Sequence, residues 1–227
     1  LSALNELNGL GELPIPPQLV ETFARGWAIT RGVPSPAPDS GALRIDTGAD
    51  DEAQRFVFSC LGDAIAPLGA RIDAPRIRIK VPAEPGDVAA LLPARWHVER
   101  TGTLMTADAL SAGPRPSIPD DLRLRAEWRG GIFFVELTDM AGAEAARGRM
   151  APIDGWALHD RVRVADLRQR RGLGTIVMMM LATEAHNSGL GRGLLAATVA
   201  GRALYQKLGW VARAPWTTAE IPVPPSP

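Results

Sequence analysis

Gln169, Arg170, Arg171, Gly172, Leu173 and Gly174 form the stretch of this 227-residue chain best suited to chemistry. They lie between a strand-like segment, 156–164, and a helix-like segment, 175–188. A tight glycine turn that opens a helix aims several unpaired backbone N–H groups at one place. The positive end of the helix dipole adds to them. Such a corner suits an anion, most naturally a phosphate or pyrophosphate. Arg168, Arg170 and Arg171 surround it with positive charge. We read the corner as the seat of the pyrophosphate of a nucleotide-like cofactor.

Two known glycine corners do not fit. A P-loop needs a lysine after its last glycine, and here Thr175 follows Gly174. A dinucleotide fingerprint needs a third glycine, but Val177 stands there, and the strands ahead of the corner look antiparallel. A plain structural turn remains the other reading, so the flanking residues decide.

Those flanking residues belong to a chain with a core-forming composition. It is 46% apolar, and its 25 Lys and Arg balance 25 Asp and Glu. Neutral balance offers no electrostatic case for nucleic acid or an anionic membrane. The single cysteine, Cys60, allows no intrachain disulfide and no zinc cluster, so no metal is expected. Residues 1–17 lack a basic segment followed by a long apolar one, and no run approaches a membrane span. The expected location is the cytoplasm.

The elements that must position the corner read as follows. Residues 1–17 suggest an irregular arm or a short helix ended by the prolines. Residues 18–31 carry Leu19, Val20, Phe23, Trp27 and Ile29 at helical spacing. A Pro-rich loop covers 34–39. Strands are expected at 43–47, 55–59 and 76–81, the last with Ile77, Ile79 and Val81 on one face. Residues 63–69 are ambiguous, 86–92 suggest a short helix, and 96–105 one or two strands. The segment 108–119 is rich in Ser, Ala, Gly and Pro and marks a boundary, giving domains 1–112 and 113–227. Beyond it, 122–128 and 132–138 form a hairpin around Gly130 and Gly131, followed by strands at 145–151 and 156–164. After the corner come a helix ending at Gly189, a buried strand at 193–198, a helix at 202–208, and closing strands from Trp210, one of them at 217–223. Residues 224–227 are expected to be disordered.

Two segments together resemble the GNAT acyltransferase superfamily, which binds acetyl-CoA. Gln169 to Gly174 is similar to its Gln/Arg-x-x-Gly-x-Gly/Ala motif, five residues after a strand that ends in Val162, Arg163 and Val164. Residues 201–210 are similar to its Ala-x-x-Leu-Tyr-x-x-Leu-Gly-Phe segment in shortened form, with Trp210 as the aromatic. The resemblance covers 147–211 firmly and 122–223 in outline. It implies an α/β (α+β) fold: a mixed, mostly antiparallel twisted sheet flanked by helices in the C-terminal half. A smaller α/β domain would precede it.

By resemblance, the amides of Arg170, Arg171, Gly172, Leu173, Gly174 and Thr175 would cradle the CoA pyrophosphate, with Gln169 beside them. Val162 and Val164 would pair with the pantetheine arm, and Thr198 stands where the family often has asparagine. Tyr205, the only tyrosine, would be the general acid for the leaving thiolate. Strict alternation puts Asp160 with Val162 and Val164 and makes it the candidate base; a bulge would substitute His159. Trp128, Phe133, Phe134 and Glu136 suggest an acceptor pocket or plain core packing. Residues 91–96 faintly echo 206–210, which suggests that the first half is a degenerate copy of the same fold. An unrelated α/β extension is the alternative.

The function expected is acetyl transfer from acetyl-CoA to an amine of a small molecule or peptide. The alternative is a non-catalytic CoA-binding module. A homodimer stays open, and no nucleic-acid or membrane partner is expected.

Overall fold

Apolar residues three and four apart build the first element of the computed structural model, which describes residues 15–223. Val20, Phe23, Ala24, Trp27 and Ala28 form the buried stripe of α1 (Pro17–Arg31). Pro17 suits its first turn, and Gly32 ends it at φ 65°. The expected arm lies mostly outside the described residues, as do 224–227.

Eleven strands form one sheet in the order β1-β2-β3-β4-β11-β5-β10-β9-β8-β7-β6. In chain order they are β1 (Ala37–Asp39), β2 (Ala42–Ala49), β3 (Glu52–Val57), β4 (Ile77–Val81) and β5 (His97–Ala107). There follow β6 (Leu122–Arg129), β7 (Ile132–Asp139), β8 (Glu144–Ile153) and β9 (Trp156–Val164). Last come β10 (Arg192–Ala197) and β11 (Val211–Glu220). The remaining helices are α2 (Ile65–Arg71), α3 (Pro85–Ala89), α4 (Leu173–Asn187) and α5 (Arg202–Lys207). All neighbouring strands are antiparallel except β3 with β4 and β9 with β10. Among the described residues no helix is long and apolar enough to cross a membrane.

The unit β3-α2-β4-α3-β5 repeats the order of β9-α4-β10-α5-β11, and each opens on a parallel pair. Each unit gives its last strand to the other. β11 lies between β4 and β5, and β5 lies between β11 and β10. The boundary expected at 112/113 falls in the irregular crossing from β5 to β6. The halves on either side of it share one sheet and do not close as separate sheets. The echo between 91–96 and 206–210 is matched in packing: Trp96 and Trp210 are both buried after a short helix.

Helices cover both faces. Among the described residues α1 is the one helix on the first, packed against Ile45, Val57, Leu104, Leu158, Leu194 and Trp216. α4 and α5 cover the other face of the C-terminal half, where Leu173, Val177 and Leu181 meet Met105, Val135 and Met150. α2 and α3 do the same beside Phe56, Ile79 and Val81. Alternation along the strands separates these layers: Leu104 and Met105, or Phe56 and Val57, face opposite sides. Three expectations change in detail. The loop at 34–39 contains β1, the ambiguous 63–69 belongs to α2, and the closing strands are the single β11.

Trp216 carries much of the α1 layer, with its ring 5.3 Å from that of Phe23 in an edge-on contact. Trp216→Ala should therefore lower unfolding free energy by ~3–5 kcal/mol in urea denaturation. A loss under ~1 kcal/mol would contradict this packing.

Candidate functional site

β9 and β10 start as a parallel pair and then part. Their register runs through Arg192↔Trp156, Gly193↔Ala157 and Leu194↔Leu158 and stops there. Beyond it β9 runs on to Val164 and β10 to Ala197 without pairing, leaving an open strand edge inside the sheet. Unpaired strand edges seek a partner, and an extended ligand can supply one.

The groove that opens has a volume of about 780 Å³. The glycine corner forms one end of it. Gly172 caps α4 at φ 76°, a left-handed conformation that suits glycine. Gly174 is needed for another reason: a Cβ there would lie 2.9 Å from Leu204 Cδ2 on α5. The first backbone bond of α4 runs from the Ile176 N–H to the Gly172 carbonyl at 3.1 Å. Ahead of it, the amides of Arg170, Arg171, Gly172, Leu173, Gly174 and Thr175 donate to no acceptor among the described residues. These free donors and the start of the helix stand where the sequence placed an anion, and all six residues but Arg171 line the groove.

The arginines divide. Arg171 binds Asp121 through both Nη atoms, the closest contact being 2.8 Å, and Arg168 bonds to Asp121 and Asp139. Their charges are already answered, so the part expected of Arg171 narrows to its amide. Arg170 lines the groove, as do Gln169, Thr175, Val162, Val164 and Thr198. Gln169 Nε2 donates to Asp166 at 3.0 Å, and Thr198 Oγ1 accepts the Gly201 N–H at 3.1 Å, which steadies the turn into α5.

A bulge in β9 corrects the alternation read from sequence. The register with β8 passes from Arg149↔Asp160 to Arg147↔Arg163, and Arg161 sits at φ 51°. The extra residue reverses the faces. His159 now shares a side with Val162 and Val164, toward Trp210, while Asp160 turns to α1 with Leu158. There Arg31 binds Asp160 at 2.8 and 3.1 Å, Arg149 at 3.1 Å and the Thr30 hydroxyl at 3.0 Å. Burial works to raise the Asp160 pKa, but the two arginines outweigh it and hold the carboxyl below its ordinary value. The expectation that Asp160 is a general base is corrected on this ground: a carboxylate fixed in two ion pairs binds a proton weakly.

His159 is 3% exposed, and its ring lies 5.1 Å from that of Trp210. Neither ring nitrogen has a hydrogen-bond partner among the described residues. Burial alone pushes its pKa down to about 3, so the ring is neutral at working pH. Tyr205 is buried beside Trp210, with ring centroids 6.3 Å apart, and lines the groove. Burial, then the Asp160 charge, pushes its phenol up to about 12.

The aromatic cluster suggested for the acceptor stands elsewhere. β6 and β7 are the far edge of the sheet. Trp128 meets Phe133 at a tilt of 51°, while Arg129 covers the Phe134 ring and binds Glu136 at 2.7 Å. None of the four lines the groove. Sequence reading passed over Arg31, Arg149 and Ala196; Arg31 reaches Asp160 from 129 residues away, which no local pattern reveals. Among the described residues no group of three or more His, Cys, Asp or Glu is placed to hold a metal.

The buried neutral His159 gives a signed pH prediction. Its folded pKa lies below the ordinary value of 6.5, so its contribution to stability is intact above pH 6.5 and is lost as pH falls toward about 3. The limiting slope is ~1.4 kcal/mol per pH unit. Between pH 6.5 and 5, His159→Leu should show a flatter decline in melting temperature than the native chain. Parallel curves would contradict the burial of this ring.

No protein-family model matches the chain, and no curated protein sequence does. Solved structures do match. A GCN5-related N-acetyltransferase from Kribbella flavida aligns at TM-score 0.66 and 13% identity over 92% of this chain and 96% of its own. A protein assigned to the GNAT acetyltransferase family from Novosphingobium aromaticivorans aligns at 0.55 and 18% identity, over 90% and 97%. A functionally unknown protein from Staphylococcus epidermidis aligns at 0.59 and 9% identity, over 82% and 93%. A parted β9–β10 pair, a glycine corner opening α4 and this overall likeness agree: the chain has the GNAT fold of the GCN5-related N-acetyltransferases.

Proposed function

We propose that the chain transfers an acetyl group from acetyl-CoA to an amine of a small molecule. The observation that carries this reading is the row of six free amides, 170–175, at the mouth of a groove walled by an unpaired strand edge. That combination fits acetyl-CoA chemically. The amides and Arg170 would hold the pyrophosphate, and the edge of β9 beyond Leu158 would pair with the amide-bearing pantetheine arm. When bound, acetyl-CoA supplies an activated acetyl group as a thioester.

The side chains around the groove define the remaining roles. Tyr205 keeps its proton at any working pH. Full transfer of that proton to a thiolate of ordinary pKa ~8.5 is uphill by ~5 kcal/mol, so Tyr205 acts by donating a hydrogen bond to developing negative charge. Asp160 and His159 do not take up a proton near neutrality, so the acceptor amine reaches the gap already deprotonated or loses its proton to water. Within this reading the first half is a copy of the same fold without a phosphate corner. Residues 58–64 join β3 to α2 with no Gly-x-Gly turn, and α2 has 7 residues where α4 has 15. The weakness of both candidate bases also supports a second reading, a CoA-binding module without turnover.

Two variants test these roles. Gly172→Glu puts a carboxylate at the corner and should weaken acetyl-CoA binding at least ~10-fold by calorimetry; unchanged affinity would remove the corner from the site. Tyr205→Phe should lower kcat ~10–100-fold, the worth of one hydrogen bond to a charged group, with acetyl-CoA affinity unchanged. Should the native chain bind acetyl-CoA and acetylate no amine, the second reading holds.

A further inference from the structure

A second cavity, of about 230 Å³, lies under α1 on the side of the sheet to which Asp160 turns. Phe23 and Trp27 roof it, Trp216 and Gly102 lie on its floor, and Arg55 and Lys80 reach it from β3 and β4. It and the groove share Arg31, His159, Asp160, Ala196 and Thr198 as lining. The two spaces therefore adjoin where β9 and β10 part. A molecule in the second cavity would face the reactive end of one in the groove.

The charges of this cavity are not balanced. Arg31, Arg55 and Lys80 line it against one carboxylate, Asp160. Arg31 is committed to Asp160. Arg55 is committed to Glu52 at 2.6 and 2.7 Å and lies 3.9 Å from the centre of the Trp27 ring. Lys80 has no such partner. It is 7% exposed, and its Nζ donates to the Thr101 hydroxyl at 3.3 Å and to the Thr218 hydroxyl. Among the described residues no carboxylate lies within ion-pair distance of it. An ammonium has three donors, so one remains for a ligand. Burial without a counter-ion is costly, and it pushes the Lys80 pKa down to about 7. A bound anion would relieve that cost.

We propose that this cavity is the acceptor site and that Lys80 recognises a carboxylate on the acceptor, whose class is therefore a small amino acid. The inference rests on the acetyl-transfer reading and narrows its substrate. The volume suits a compact amino acid. Phe23 and Trp216 offer apolar walls for the carbon chain, and the gap beside Ala196 and Thr198 receives the amine.

The test pairs each amino acid with the amine that lacks its carboxylate: glycine with methylamine, β-alanine with ethylamine, γ-aminobutyrate with propylamine. Transfer from acetyl-CoA and binding in the presence of CoA are both measured. The native chain should prefer at least one amino acid to its partner amine by 10-fold or more. Lys80→Met should abolish that preference, leave acetyl-CoA affinity unchanged, and raise the melting temperature at pH 7 by removing an unanswered buried charge. Lys80→Gln, which keeps a polar contact to the threonines, should abolish the preference too. Equal use or equal binding of both partners by the native chain, or a preference that survives both substitutions, overturns the inference. Failure of the native chain to bind acetyl-CoA instead overturns the acetyl-transfer reading beneath it.

Discussion

The separation of β9 from β10 past Leu158 and Leu194 is the constraint on which the rest of the site depends. A sheet interior normally leaves no backbone group unpaired, because each lost bond is costly. Here the sheet opens a seam along its own middle and keeps it lined with donors. The chain leaving β9 has to reach α4, and the two glycines at 172 and 174 let that helix start close to the seam. Glycine corner and open strand edge are thus consecutive pieces of one crossover, and their geometry is set together. The same seam adjoins two spaces, the groove beside the glycine corner and the cavity under α1.

Charge is distributed with the same economy. The carboxylate nearest the seam, Asp160, is held by Arg31 and Arg149, and the one imidazole there is buried and neutral. Both arrangements oppose proton uptake. They leave an interior whose polar groups are already oriented, with the buried Lys80, which has no ion-pair partner among the described residues, lining the cavity under α1. The first half of the chain therefore does more than extend the sheet. Its last strand, β5, pairs with β10 and forms one wall of the seam's surroundings, and its β4 carries the buried lysine.

The local features were legible in the sequence. The glycine corner, the bounds of β9 and the helix after the corner all follow from spacing and capping rules, because each is settled by near neighbours. What escaped was non-local. One extra residue in β9 reverses its faces, and nothing in the residue types of 159–161 announces it; alternation alone put Asp160 on the side that His159 occupies. The exchange of β5 and β11 between halves leaves no mark in either strand's pattern. Lys80 follows the alternation of β4 opposite Ile79 and Val81, a placement that ordinarily means solvent. Its ammonium is instead buried against the Thr101 and Thr218 hydroxyls, on strands that are neighbours only in the folded sheet.

Amide hydrogen exchange of the native chain with and without acetyl-CoA tests the central claim most directly, since it reads the donors themselves. Slowed exchange concentrated at residues 170–175 and along 159–164 is the predicted result. Binding accompanied by protection elsewhere, with these two segments unchanged, would contradict the assignment of the seam and its corner as the donor site.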